Sequence, residues 1–359
     1  MRTVLAVAAA AACLLAPPAQ GQTVTIYGLL DAGVEYINHV GADRSSLTRM
    51  PNLTGSLPSR LGFRGTEDLG GGLKALFTLE QGLAIDSGSL GQGGRAFGRT
   101  ALVGLSGPWG AFTLGRQYTM LYWAVFDADT MGPNVYGLGS LDSYLAGPRA
   151  DNSMAFRGTY GGLTVGAGYS AGRDLAAPAS CAGESATDST ACREMSAMLK
   201  YEAGGWGVAA GVDRLYGGAG GGAGLNSSAL TDRRVTVNAY ARLGAFRFGG
   251  GLMRRTNEAS PAPKSDLWFL GVVYSPSPQL ALDVAAYKLD SRDTPNDALM
   301  LAARATYSLS KRTAVYANLG RISNDGTLAL SVSGGSASGA APTAGASQSG
   351  LMMGLRHTF

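Results

Sequence analysis

Charged residues are scarce in this chain, since Asp, Glu, Lys and Arg make up only 15% of its 359 residues. An average soluble domain carries about 25%. Disordered chains are rich in charge and poor in apolar residues, whereas 45% of this chain is hydrophobic. Beyond the N-terminus there is no run of about 18 apolar residues, which a membrane-spanning helix would need. The composition argues against disorder and against a helical membrane protein.

Histidine is also scarce, with His39 and His357 as the two residues of this type. The chain lacks the Walker Gly-Lys-Ser/Thr motif, the His-Glu-x-x-His zinc motif and the Cys-x-x-Cys motif. We therefore expect no enzymatic activity, no cofactor and no bound metal. The net charge of +4 is too small, and the runs of Lys and Arg are too short, to predict nucleic-acid binding.

The N-terminal residues 1–21 have the pattern of a secretory signal peptide. Arg2 is followed by the apolar stretch Val4 to Ala16, and Ala19-Gln20-Gly21 supplies small residues for cleavage before Gln22. A membrane anchor and a lipoprotein modified at Cys13 are the alternatives. The mature chain would occupy residues 22–359 and would leave the cytoplasm.

Two cysteines remain in the mature chain, Cys181 and Cys192, within a segment of Gly, Ser, Thr and Ala. A disulfide between them would suit a surface loop in an oxidising compartment. A zinc or redox site would need closer spacing or neighbouring histidines, and neither is present.

Apolar and polar residues alternate through most of the mature chain. Val235, Val237 and Ala239, for example, lie between Thr236, Asn238 and Tyr240. Because side chains alternate across a strand, this period predicts strands with one apolar and one polar face. Sixteen such segments begin near residues 24, 59, 73, 96, 111, 153, 163, 194, 206, 233, 245, 265, 279, 298, 312 and 350.

The connections between these segments alternate between short turns and long loops. This pattern is typical of a transmembrane β-barrel with periplasmic turns and extracellular loops. The sequence therefore predicts an all-β fold, a 16-stranded antiparallel barrel whose interior can hold a water-filled channel. A soluble β-sandwich would also show alternation, but it would not explain the alternating loop lengths.

Four blocks of the sequence resemble the general porins of Gram-negative bacteria, of the β-proteobacterial type: Thr23–Tyr36, Ser59–Leu79, Arg99–Gln117 and Gly354–Phe359. The resemblance implies a homotrimer in the outer membrane, in contact with its lipid and lipopolysaccharide. It implies that the long third loop, here residues 119–152, folds into the pore. It also makes Phe359 the signal for the barrel-assembly machinery.

The polar strand faces would carry the function, because channel selectivity depends on the charges that line the pore. Arg60, Arg64, Lys74 and Arg157 are predicted to point inward, and the resemblance adds Arg99. The third loop contributes Asp127, Asp129 and Asp142, which would lie opposite this basic wall. The excess of inward basic residues favours anions.

We therefore expect a general diffusion porin that passes small hydrophilic solutes and ions with a mild preference for anions. A substrate-specific channel is the main alternative, for which Tyr27, Tyr240, Tyr287 and Tyr316 supply inward aromatic rings on distant strands. An outer-membrane enzyme would need a histidine near a nucleophile or carboxylate. An adhesin would use the long loops, and this remains open as a secondary role.

Overall fold

A computed structural model describes residues 23–173, 180–334 and 339–359. The expected signal peptide, residues 1–21, lies outside the described residues, as does its cleavage site. Strand pairing is antiparallel throughout the barrel, and each strand pairs with its neighbours in the sequence. The sixteen barrel strands are β1 (Thr23–Val40), β2 (Arg60–Gly70), β3 (Leu73–Ala84), β4 (Thr100–Gly107), β5 (Gly110–Tyr118), β6 (Ser153–Tyr160), β7 (Leu163–Ser170), β8 (Glu194–Ala203), β9 (Trp206–Tyr216), β10 (Thr231–Leu243), β11 (Phe246–Asn257), β12 (Lys264–Tyr274), β13 (Leu280–Ser291), β14 (Ala298–Ser308), β15 (Thr313–Asn324) and β16 (Gln348–Thr358).

The first and last strands close the barrel. β1 pairs with β16 from Leu29 opposite Thr358 to Ile37 opposite Gly350. Gly28 and the terminal Phe359 extend this pairing by exchanging two backbone hydrogen bonds of 3.1 Å. Closure leaves no free sheet edge, which a sheet surrounded by lipid could not tolerate. The predicted 16-stranded antiparallel barrel is confirmed.

The two faces of the strands differ as the alternation predicts. On β10, Val237 is 64% exposed whereas the next residue, Asn238, is 5% exposed. On β12, Leu270 is 68% exposed and its neighbour Phe269 is 4% exposed. Large apolar side chains therefore cover the outside of the barrel, while many inward side chains are buried by other parts of the chain.

Short elements lie within the long connections. These elements are short strands, short α-helices and isolated helical turns. The short strands are Ser45–Arg49, Ser89–Leu90 and Arg149–Ala150, the helices are α1 (Met120–Val125) and α2 (Leu138–Leu141), and the helical turns are Gly91–Gly94, Ser143–Ala146 and Gly222–Gly224.

The segment 119–152 contacts the inward face of the barrel. Helix α1 packs on β8, β9 and β10. A Cβ atom added at Gly211 would lie 2.7 Å from the Cβ of Ala124, and one added at Gly320 would lie 2.8 Å from the ring of Tyr136. Glycine on the strands thus lets the loop approach the wall closely. The main apolar core lies between this loop and the strands, with Tyr136 fully buried in it.

Candidate functional site

Two arginines pair with Glu80 on the inward side of the barrel, and two more are linked to this pair through Tyr27 and Tyr118. We call this set the basic wall: Arg60, Arg64, Arg99, Arg149 and Glu80. The Nε atom of Arg99 lies 2.6 Å from Oε1 of Glu80, and the Nε atom of Arg60 lies 3.7 Å from Oε2. One carboxylate cannot neutralise four cations, so the basic wall keeps a positive excess.

A tyrosine joins the two most buried arginines of the basic wall. The Tyr118 hydroxyl accepts a hydrogen bond of 2.7 Å from Arg99 and another from Arg149. The guanidinium of Arg149 also lies 4.2 Å from the centre of the Tyr118 ring, within range of a cation–π interaction. Arg149 comes from the end of the third loop, where strand alternation gives no signal, and the sequence analysis missed it.

Arg64 and Arg157 are inward cations of the predicted set that are exposed and lie near the third loop or the basic wall. Each guanidinium lies over an aromatic ring, Arg64 at 5.1 Å from the centre of Tyr27 and Arg157 at 4.1 Å from Trp123. These contacts orient the side chains without neutralising their charge.

Lys74 shares the inward face of β3 with Glu80 but lies near the opposite end of the strand. Six residues separate them, which is about 20 Å along a strand. Lys74 is exposed beside the short turn to β2. The structure therefore places four of the five predicted basic residues at the level of the third loop or the basic wall, and Lys74 away from it.

The third loop brings one partly exposed carboxylate to the opposite side of the interior. Asp127, with 26% of its side chain exposed, forms a salt bridge with Lys200 on β8. Lys200 also lies 2.9 Å from Glu202. Arg247 on β11 donates a hydrogen bond to the backbone carbonyl of Asp127. Cations therefore line both sides of the channel.

Asp129 and Asp142 do not face the basic wall, which corrects the expected arrangement of the loop aspartates. Asp129 is 8% exposed and accepts a 3.0 Å hydrogen bond from Tyr287. Its burial raises its pKa to about 6. Asp142 accepts hydrogen bonds of 2.7 and 3.1 Å from Arg234. Burial opposes its ionisation, but the Arg234 guanidinium lowers the pKa of Asp142 to about 2. Both carboxylates anchor the loop to the barrel wall.

One motif associated with catalysis was missed in the sequence. Gly168 to Gly172 has the Gly-x-Ser-x-Gly spacing of a hydrolase nucleophile. Here Ser170 ends a strand, is 1% exposed and donates its hydroxyl hydrogen to the backbone carbonyl of Asp151 at 2.6 Å. Because the hydroxyl is buried and already engaged, its role is to fix the start of the next loop.

The remaining predicted residues have structural contacts. Cys181 and Cys192 are joined by a disulfide, with their Cα atoms 5.6 Å apart. The ring of Phe359 covers Gly28, where an added Cβ would lie 2.7 Å from the Cε2 atom of the ring.

Within the described part of the chain, no helix is long and apolar enough to cross a membrane. Among the same residues, no group of three His, Cys, Asp or Glu could hold a metal ion.

A closed barrel with an apolar exterior and a cation-lined interior defines an outer-membrane channel protein. The family described as Gram-negative porin matches residues 6–327. The chain is 30% identical to outer membrane porin protein 32 of Delftia acidovorans, over 99% of this chain and 98% of that protein. This chain belongs to the Gram-negative porin family.

Further comparisons agree with this assignment. An outer membrane porin protein of Bordetella pertussis is 36% identical over 47% of this chain and 48% of that protein. The anion-selective porin from Comamonas acidovorans superimposes with a TM-score of 0.77 at 25% identity, covering 94% of this chain and all of that one. A trimer form of OmpT from Vibrio cholerae has a TM-score of 0.67 at 17% identity, covering 95% of this chain and all of that one.

Proposed function

We propose that this outer-membrane diffusion channel passes small hydrophilic solutes and ions with a mild preference for anions. The basic wall is the observation that carries this proposal, because its four arginines outnumber its one carboxylate, Glu80, which pairs with Arg60 and Arg99. A channel lined by one sign of charge concentrates the opposite ion. The likeness to a porin described as anion-selective supports the same preference.

The third loop would narrow the channel and set the distance between its charges. Helix α1 carries an aromatic cluster, in which the rings of Tyr122 and Tyr118 stack at 3.9 Å and Trp123 lies 5.2 Å from Tyr122. Together with the basic wall, this cluster would form the constriction. We infer that Arg64 and Arg157, whose side chains are exposed, act on passing ions more strongly than the buried Arg99.

Reversal potentials in planar bilayers, measured across a tenfold KCl gradient, test the anion preference. At about 6 Å in water, one unit of charge changes an ion's energy by about 0.7 kcal/mol. Arg64→Glu changes the charge by two units, so we expect the ratio of anion to cation permeability to fall several-fold after screening by salt. Lys74→Glu is the matched control, with the same charge change far from the basic wall, and should have a smaller effect. Cation selectivity of the unmodified channel would refute the proposal.

A substrate-specific channel is the second candidate, favoured by the aromatic cluster beside exposed cations. A planar aromatic anion such as benzoate would then block the current saturably, because it could stack on Trp123 while pairing with Arg157. Trp123→Ala should abolish that block, while the KCl conductance should stay the same or rise because the smaller side chain widens the constriction. A block that rises without saturation, or none, would favour general diffusion.

We infer that the chain acts as a homotrimer and has no enzymatic activity. The trimer form of OmpT, a structurally similar outer membrane protein of Vibrio cholerae, supports the first point. We further infer contacts with lipopolysaccharide outside the barrel, recognition of Phe359 by the assembly machinery, and export by a cleaved signal peptide. Light scattering of the detergent-solubilised protein would test the trimer, and a monomeric mass would contradict it.

A further inference from the structure

Part of the first loop turns into the barrel instead of staying at its rim. This loop connects β1 to β2 through residues 41–59, and we call residues 54–59 the inner segment. Thr54, Ser56 and Ser59 are buried, and none of the six residues belongs to a helix or a strand. Loops normally run over the surface, because their backbone groups need water as a hydrogen-bond partner. The inner segment must therefore find its partners on the protein.

The inward face of the barrel supplies these partners. The Gly55 carbonyl accepts hydrogen bonds of 2.7 Å from Asn318 on β15 and 3.2 Å from Arg304 on β14. The Leu57 N–H donates to the Asp31 carboxylate on β1 at 3.0 Å. Between β1 and β14 the inner segment crosses three strand spacings, or about 14 Å. It therefore covers the wall beneath it, where Asp31 and Asn318 are fully buried.

Glycine at position 55 allows this close approach to the wall. An added Cβ at Gly55 would lie 2.6 Å from Nδ2 of Asn318 and would also collide with the ring of Tyr316. The Tyr316 hydroxyl accepts a hydrogen bond from the Gly55 N–H at 3.3 Å and donates its own hydrogen to Asp31 at 2.6 Å. Both polar backbone groups of Gly55 are thus bonded to the wall, which fixes the inner segment there.

Arg304 joins the inner segment to the third loop. Its Nε atom lies 2.6 Å from Oδ2 of Asp283 on β13. Its Nη1 atom donates hydrogen bonds to the Gly55 carbonyl and, at 3.1 Å, to the Met131 carbonyl of the third loop. The planar, forked guanidinium reaches these three acceptors at once, and lysine cannot reproduce that geometry. One side chain of the wall therefore holds both loops.

Two backbone contacts extend this connection. The Val135 N–H of the third loop donates to the Thr54 carbonyl at 2.8 Å. At the other end of the inner segment, the Ser59 hydroxyl accepts from the N–H of Asp31 and donates to its carbonyl, both at 2.9 Å. Arg60 of the basic wall follows as the first residue of β2. The inner segment thus connects the third loop with the basic wall.

We propose that the inner segment is a second size-limiting element of the channel and that Arg304 is the residue that positions it against the third loop. The segment forms a layer over the inward face of β1 and β14–β16, so it narrows the channel from that side. It carries no charged side chain, and it therefore limits the size of a solute rather than selecting its charge. This inference rests on the proposed diffusion channel and is independent of the anion preference.

Deletion of residues 53–56 tests the size limit, because it removes the part of the first loop that reaches β14 and β15. Arg49 and Arg60 pair with positions 35 and 29 of β1, which are about 20 Å apart along the strand. The six residues left between them can bridge this distance, since seven extended steps reach about 24 Å. The barrel strands stay intact. In liposome-swelling assays we expect the ratio of sucrose to arabinose entry to rise several-fold, since both sugars are uncharged and differ in size.

Arg304→Lys combined with Asn318→Leu tests the positioning role without changing the charge of the wall. The loss of hydrogen bonds to the Gly55 carbonyl should make the amides of Leu57 and Val135 exchange with deuterium at least about tenfold faster. The sucrose-to-arabinose ratio should rise as in the deletion. The matched control is Asn238→Leu, an equally inward asparagine on β10 whose amide donates to Thr236, and it should change neither measurement.

An unchanged sugar ratio after the deletion would overturn the size-limiting role, as would faster exchange in the double variant without a change in that ratio. Unchanged exchange in the double variant would overturn the role of Arg304. The reversal potential is measured separately, so these failures leave the anion preference standing. Exclusion of arabinose by the unmodified protein would instead contradict the diffusion channel itself.

Discussion

The ion pair between Asp142 and Arg234 is expected to hold the third loop against the barrel wall, so Asp142→Asn should loosen the loop. The Arg234 guanidinium donates hydrogen bonds to both carboxylate oxygens of Asp142, and only 2% of the Arg234 side chain is exposed. The pKa of Asp142 falls from 3.8 to about 2. At about 1.4 kcal/mol per pKa unit, the charged form gains about 2.5 kcal/mol in the folded state.

This magnitude lies just below the cost of breaking a buried ion pair, which is about 3–5 kcal/mol when the partner is left unpaired. Arg234 keeps a second carboxylate, since its Nη1 atom lies 3.1 Å from Asp232. We therefore expect loop opening to become about 60-fold more frequent in Asp142→Asn. The pH dependence has a defined sign. Because the folded pKa is lowered, the stabilisation is complete above pH 3.8 and is lost as the pH falls towards 2.

Hydrogen–deuterium exchange of the loop amides measures this opening directly. Residues 138–147 contain backbone hydrogen bonds that depend on the loop fold, including that from Asp142 N–H to the carbonyl of Leu138. Their protection should fall in Asp142→Asn while the strands stay protected. Asp86→Asn, in an exposed loop, is the matched control. A double variant with Arg234→Gln should recover part of the protection, because no buried cation is left behind.

Unchanged protection of residues 138–147 in Asp142→Asn would refute the reasoning. A loss of protection spread over all sixteen strands would also contradict it, because the ion pair would then support the barrel rather than the loop. Full additivity of the two substitutions would show that the two groups do not interact.

Two further predictions concern the loop and the barrel seam. Burial raises the pKa of Asp129 to about 6, so its contribution to loop docking should be most favourable below pH 4 and should be lost as the pH rises through 6. Asp129→Asn should remove this pH dependence from the hydrogen–deuterium exchange of residues 127–133, corrected for intrinsic rates. A pH dependence that persists in Asp129→Asn would contradict the assignment. Gly28→Leu should displace the ring of Phe359 and slow refolding into detergent micelles, measured by the mobility shift of folded barrels in electrophoresis. Refolding at the unmodified rate would show that this contact does not guide closure.

The strands were predictable because each one faces lipid on one side and polar groups on the other. This requirement makes apolar and polar residues alternate with a period of two along every strand. The beginnings at residues 153, 163, 194, 206 and 298 agree with the structure. The fourth strand is the largest discrepancy, since it begins at Thr100 rather than near residue 96. Arg99 lies one residue before this strand begins, so the alternation along the strand does not determine the direction of its side chain. It turns inward to Glu80, as the resemblance implied, although the strand alternation does not predict it.

The loop aspartates were harder to predict, because their partners lie on strands far away in the sequence. Asp142 pairs with a residue 92 positions later, and Asp129 with one 158 positions later. A sequence pattern identifies carboxylates in a loop but not the strand that each one meets. Their type suggested channel-facing charge, whereas their contacts make them anchors. Asp127 differs from these two aspartates in its exposure: it pairs with Lys200 on the barrel wall, but 26% of its side chain remains exposed.

Inward glycines on the strands let the third loop lie close to the barrel wall. Several glycines lie on the inward strand faces directly beneath the third loop. At six inward glycines on different strands, an added Cβ would collide with the third loop. Each one gives the loop room to lie flat on the wall, so replacing them would push it towards the channel axis and narrow the passage. The six are Gly166, Gly211, Gly249, Gly271, Gly320 and Gly350.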